Sequence, residues 1–119
     1  MNKKNLGQLG ESAAVSFLET HGYEILERNF CIRTGEIDII AKKEGRLSFI
    51  EVKTRCDNRC GTPAEAVTHR KQQKIIRTAL SYLNTRKLHD IPCSFDVIEV
   101  YPTPHEKWNI RHLADAFEC

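Results

Sequence analysis

No apolar run in this chain approaches the roughly 18 residues that a membrane-spanning helix needs, so no membrane partner is expected. The lysines near Met1 have no apolar stretch behind them, and no secretory signal is read there. The five cysteines are an odd count without framework spacing. That suits a reducing cytoplasm better than a disulfide-stapled secreted module. The five histidines form no HExxH or HxxxH pattern, and none is given a role. Net charge is only +2, which by itself implies no partner. Any contact with a polyanion has to come from local clustering among the 18 Lys and Arg residues. Repeats, low-complexity stretches and linkers are also lacking. Residues 1–119 therefore read as one domain, long enough to bury a core without disulfides or structural metal.

What is present is a clear succession of elements. Leu6, Leu9, Ala13, Ala14, Phe17 and Leu18 recur at helical spacing and Gly22 follows, predicting a helix over about 5–21. Tyr23 to Ile32 is rich in strand formers. Glu36–Ile39 and Ser48–Lys53 alternate around the turn signal Lys42–Arg46, which predicts a hairpin. Thr62, Pro63 and Glu65 carry the cap, first-turn and capping-box signals of a second helix running to about Asn84. Its apolar stripe is Ile75, Ile76, Ala79, Tyr82 and Leu83. Phe95–Tyr101 reads as a strand, and Trp108–Leu113 as a further one. The order α-β-β-β-α-β-β predicts an α/β domain, a mixed sheet packed between helices.

The hairpin register follows from its hydrophobic pattern. With the turn centred on Glu44-Gly45, Asp38 falls opposite Glu51, and Glu36 opposite Lys53. Ile37, Ile39, Ile50 and Val52 then share one face. A slip of one residue would spoil both faces. Two facing carboxylates repel, and partial burial makes this worse. Ile40 and Phe49 share their face, so burial is expected. A hard divalent cation compensates such a pair, since Mg²⁺ takes one or two carboxylates and completes its shell with water and phosphate oxygens. Lys53, two residues beyond Glu51, can meet a phosphate oxygen or orient a water. That is the equipment of phosphodiester hydrolysis. The bland alternative is a solvated strand face with a Glu36–Lys53 ion pair.

Other residues carry weaker signals. Arg70, Lys74 and Arg77 recur at i, i+4 and i+7. With Arg33 and Arg55 they could track a nucleic-acid backbone, or be an ordinary solvated helix face. Lys71 and Gln72 lie nearer the apolar stripe, within reach of the site. Lys71 is counted with the phosphate-binding set. Cys56 and Cys60 have weak zinc spacing, and incidental thiols are the simpler reading. Asp96, in an apolar strand, is expected to pair with an arginine or with backbone N–H groups.

At these residues a family likeness emerges. Gly35-Glu36-Ile37-Asp38-Ile39-Ile40 followed by Phe49-Ile50-Glu51-Val52-Lys53-Thr54-Arg55 resembles the PD-(D/E)XK nuclease signature, with Ile37 where the wider signature often has proline. More narrowly, the chain resembles the YraN family of small bacterial proteins. The match includes Gly10-Glu11, Gly22-Tyr23, Arg28-Asn29, Gly61-Thr62-Pro63, Lys71, Phe95-Asp96-Val97-Ile98 and Ala116-Phe117. The resemblance implies a restriction-endonuclease-like fold similar to Holliday-junction resolvases. It implies Asp38, Glu51 and the Val52 carbonyl as metal ligands, Lys53 as the residue positioning water, and Glu11 as an auxiliary carboxylate.

The expectation is thus a Mg²⁺- or Mn²⁺-dependent endonuclease acting on DNA, branched or structured DNA included. Branched DNA would call for a homodimer, because two strands are cut. A nucleic-acid-binding module without cleavage and a protein-interaction domain with a structural acidic face are the other two readings.

Overall fold

The computed structural model describes residues 3–55, 67–103 and 107–118, with residues 3–5 as backbone only. Helix α1 (Lys3–Thr20) leads into strands β1 (Glu24–Ile32), β2 (Gly35–Lys43) and β3 (Arg46–Thr54). Helix α2 (His69–Thr85) and strands β4 (Cys93–Pro102) and β5 (Trp108–Phe117) complete the chain. The order is the predicted α-β-β-β-α-β-β. The five strands form one sheet in sequence order, with β3 and β4 parallel and every other pair antiparallel. The α/β architecture is therefore as expected. No helix among the described residues is long and apolar enough to cross a membrane.

The sheet is covered on both faces. Ala14 and Leu18 of α1 pack on Ile39, Ala41, Ile50, Ile98 and Val100. Ile75, Ile76, Ala79 and Tyr82 of α2 pack on Ile40, Leu47, Phe49, Phe95 and Val97. The predicted α2 stripe is thus the one that is buried. Period-2 alternation explains how two neighbouring apolar residues, Ile39 and Ile40, serve opposite cores.

The start of α2 differs from expectation. Val67 and Thr68 are not helical, so α2 does not run unbroken from Thr62. Its cap is Thr68, whose Oγ1 accepts a hydrogen bond from the Lys71 N–H at 3.2 Å. A threonine three residues before a free N–H satisfies it whichever threonine the sequence suggests. The signal at Thr62, Pro63 and Glu65 and the Cys56/Cys60 pair lie outside the described residues.

The hairpin closes at Lys43–Arg46 around a two-residue loop, and its ladder runs through Ile40–Phe49 to Ile39–Ile50. Glu44 and Gly45 have φ of 51° and 76°. That left-handed pair is what a tight hairpin turn with the sheet's twist requires, and it accounts for the glycine. The parity is the predicted one. The strands part, however, one position short of Asp38 and Glu51, while β2 continues alongside β1 to Gly35. Beyond the parting, Ile37 joins the α2 core rather than the cluster of Ile39 and Ile50. β2 keeps one register with β1 from Ile40 to Ile37, so the change of face falls at Asp38, where the ladder to β3 has ended and where Asn29 of β1, between the paired Arg28 and Phe30, has φ of 53°.

Gly10 sets how closely α1 lies on the sheet. A Cβ there would run into the Thr54 hydroxyl and a Val100 methyl. Gly10→Ala is expected to destabilise the fold by about 1–3 kcal/mol through overpacking. Urea unfolding measures it, and an unchanged midpoint would mean that α1 can ride higher at no cost.

Candidate functional site

The parting of β2 from β3 leaves a gap in the ladder, and Asp38 fills it. The Val52 N–H donates to Asp38 Oδ2 at 2.8 Å, a side chain replacing a strand partner. Glu51 lies on the same side, only 6% exposed. Lys53 Nζ stands 4.0 Å from Glu51 Oε1. Asp38, Glu51 and Lys53 therefore meet as predicted. Glu36 is exposed and pairs across the sheet with Cys31, so Lys53 sits beside Glu51.

Glu11 arrives from α1. It shares an open cavity of about 590 Å³ with Asp38, Glu51, Lys53 and Lys71. Two β1 side chains hold its carboxylate. Asn29 Nδ2 donates to Glu11 Oε1 at 2.9 Å, and Arg28 Nη2 lies 3.7 Å from the same oxygen. Asn29 adopts φ of 53°, a conformation that asparagine tolerates better than most residues. These supporting contacts were not legible in the sequence, although an Arg-Asn pair within an apolar strand was the available signal.

Lys71 makes the shorter of the two lysine contacts to Glu51. Its Nζ lies 2.6 Å from Glu51 Oε1, the oxygen that Lys53 also approaches. Its neighbour Gln72 instead donates to the Val67 carbonyl at 2.9 Å, bracing the segment before α2. On the other side of the carboxylates opens a cleft of about 700 Å³. Arg33, Lys71, Lys74 and Arg77 line it, with Asp38 and Glu51 at its floor. Four of the expected basic residues thus converge. Arg70 is exposed on α2 away from this lining. Arg55 pairs with Glu99, itself 1% exposed, and is almost buried. That salt bridge keeps Arg55 out of the cleft, because Glu99 would otherwise be a buried charge met only by the Tyr101 hydroxyl, which donates to it at 2.9 Å.

The charges in this site work against one another. Burial, followed by the Glu51 charge, raises the Asp38 carboxyl to about 7. Glu11 adds to this, while the Val52 N–H and Lys71 act the other way. Burial and then the Lys71 charge lower the Lys53 ammonium below its ordinary value. Burial disfavours the Lys71 ammonium too, but its hydrogen bond and attraction to Glu51 outweigh that and hold it above normal. Both lysines thus approach Glu51, while Asp38 is met by the Val52 N–H and keeps a raised carboxyl. Among the described residues no three His, Cys, Asp or Glu side chains gather into a metal cage. Two carboxylates nevertheless fit Mg²⁺ or Mn²⁺, which commonly keep several waters.

Elsewhere Asp96 finds an expected kind of partner and an unexpected one. Asp96, 1% exposed, accepts from His112 Nε2 at 2.8 Å and from the Asp115 N–H at 3.0 Å. The backbone partner was anticipated; the histidine, given no role in the sequence, takes the place of an arginine. Two bonds to a buried carboxylate are a structural arrangement.

The family model described as "Uncharacterised protein family UPF0102" matches residues 10–100. A UPF0102 protein of Clostridium perfringens is 49% identical, the alignment covering 96% of this chain and 94% of that one. A UPF0102 protein of Symbiobacterium thermophilum is 46% identical, covering 98% of both. The solved structure of Pyrococcus furiosus SfsA in complex with Ca²⁺ matches with a TM-score of 0.40 at 10% identity. That match covers 92% of this chain but 63% of SfsA, and so loose a likeness carries no argument about chemistry. With a family model over most of its length and near-full-length relatives at almost half identity, the chain belongs to the UPF0102 family, the YraN family that its motifs resemble.

Proposed function

We propose that this chain is a divalent-metal-dependent endonuclease that hydrolyses phosphodiester bonds in DNA, with branched or structured DNA among its substrates. One observation carries the reading: two carboxylates, half-buried Asp38 and buried Glu51, are held together where a basic cleft is lined by Arg33, Lys71, Lys74 and Arg77. A protein does not gather like charges in a place of poor solvation without a compensating cation or proton. Asp38 and Glu51 would hold Mg²⁺ or Mn²⁺, with the Val52 carbonyl as a further ligand. The bound metal supplies a water of lowered pKa and screens the charge that develops on phosphorus.

The chain's own residues do the rest. Lys53, beside Glu51, orients the attacking water or a phosphate oxygen. Glu11, braced by Asn29 and Arg28, adds a carboxylate from α1 to the same cavity. Arg33, Lys74 and Arg77 lie along the larger cleft, where they hold the sugar-phosphate backbone. A symmetric dimer would present two such sites to a branched substrate.

The test is cleavage of duplex, single-stranded, flap and four-way-junction DNA in Mg²⁺ and Mn²⁺. Lys53→Ala should slow cleavage by about 10²-fold or more, the scale of losing one group aimed at transition-state charge. Equal cleavage by both proteins would point to a contaminating nuclease and sink the assignment. Metal-independent DNA binding without any cleavage would favour a binding module.

A further inference from the structure

Helix α2 begins in a way that isolated helices avoid. His69, Arg70 and Lys71 occupy its first turn, and no acid is found there. The N-terminus of a helix carries partial positive charge, so cations at this position are disfavoured. Lys71 meets that cost by contact with Glu51 at 2.6 Å, across the gap between helix and sheet. Lys53 approaches the same Glu51 oxygen at 4.0 Å, so two ammonium groups compete for one acceptor. The Glu51 side chain is 7% exposed whereas that of Lys71 is 42% exposed. The carboxylate is therefore fixed, and the lysine is the partner free to swing toward solvent. Lys74, one turn on, lines the same cleft as Lys71 and gives a swung-out lysine a basic neighbour.

We propose that Lys71 is an exchangeable counter-ion: it neutralises Glu51 in the metal-free protein, yields Glu51 to the divalent cation, and then turns to a substrate phosphate. This rests on the metal-dependent reading above. Lys71 is here a positioning residue and a competitor, distinct from Lys53, which stays tethered to the strand. Arg33, Lys74 and Arg77 along the same cleft support the second half of the exchange, since a phosphate held there meets Lys71 among other cations.

Calorimetric titration of Mn²⁺ into the full chain tests the first half. Lys71→Gln should bind Mn²⁺ about fivefold more tightly than wild type, the scale of a partly exposed ion pair. Lys71→Arg should stay near wild type, and Arg77→Gln, which removes a cleft charge without touching Glu51, should change affinity by less than about twofold. Unchanged or weaker binding by Lys71→Gln overturns the exchange while leaving the metal site intact. Absence of Mn²⁺ binding in wild type and Lys71→Gln alike overturns both readings.

Fluorescence anisotropy with a phosphorothioate-protected single strand tests the second half. Lys71→Gln should weaken binding in Mn²⁺ and leave it nearly unchanged without metal. Equal weakening in both conditions would make Lys71 a fixed phosphate contact and overturn the exchange.

Discussion

Glu51→Gln is expected to reduce metal-dependent cleavage by about 10³-fold or more while leaving the fold intact. The substitution keeps the volume of a buried side chain, so no cavity opens. It removes one of two carboxylates proposed to hold the cation and leaves Lys71 and Lys53 facing a neutral amide oxygen in place of their shared carboxylate. Metal affinity should fall with activity, because both losses have one cause. Folding should suffer little: the broken Lys71 contact is offset by relief of the repulsion between Glu51 and Asp38. Calorimetry, cleavage assays and thermal unfolding on one preparation would check this. Retained cleavage with lost Mn²⁺ binding would separate the metal from the chemistry and refute the proposed site.

Asp38→Asn should make the metal-free protein more stable while abolishing cleavage. Burial and then the Glu51 charge raise the Asp38 carboxyl from 3.8 to about 7. Between those values the folded chain holds a proton that the unfolded chain has released. Stability contributed by Asp38 therefore falls as pH rises through this window, and it is level on either side. The full loss above neutrality is on the order of 2–4 kcal/mol. Asparagine carries no charge and still offers an oxygen to the Val52 N–H. With chelator present, the variant should melt about 5 °C or more above wild type at pH 8, and the gap should close toward pH 4. A gap of constant size across that range would falsify the account. Added Mg²⁺ should stabilise wild type and do little for the variant.

The two outcomes share a physical basis. A site that gathers anions for a cation is destabilising until the cation arrives. Asp38 bears that cost most directly, because its carboxyl lies where the ladder has ended and its remaining backbone partner is the single Val52 N–H.

Much of this was legible in the chain itself. Alternation of Ile39-Ile40 against Phe49-Ile50 fixed the hairpin parity over the paired stretch, since one register alone buries both apolar sets. Glu44-Gly45 marked the turn. The stripe from Ile75 to Leu83 identified the buried side of α2. These are local periodicities, so they need no knowledge of what packs against them. The shared side of Glu51 and Lys53 follows from period-2 alternation along β3, whereas Asp38 joins them across the gap where the ladder has ended.

Other features depended on distance through space. Nothing in the local pattern shows that the ladder stops at Ile39–Ile50, because the continuation of β2 depends on β1. The separation of Arg55 from Arg33 came from Glu99, 44 positions along the chain. His112 found Asp96 only because β4 and β5 pair. The contact of Lys71 with Glu51 required α2 to lie over the sheet at one particular height. By itself, then, the sequence determined the element order, the register and the composition of the carboxylate pair, all properties of neighbouring residues. Only the tertiary structure decided which cations compete for that pair and which are consumed elsewhere. An ion pair is chosen by the distance between side chains after packing, and packing is a property of the whole chain.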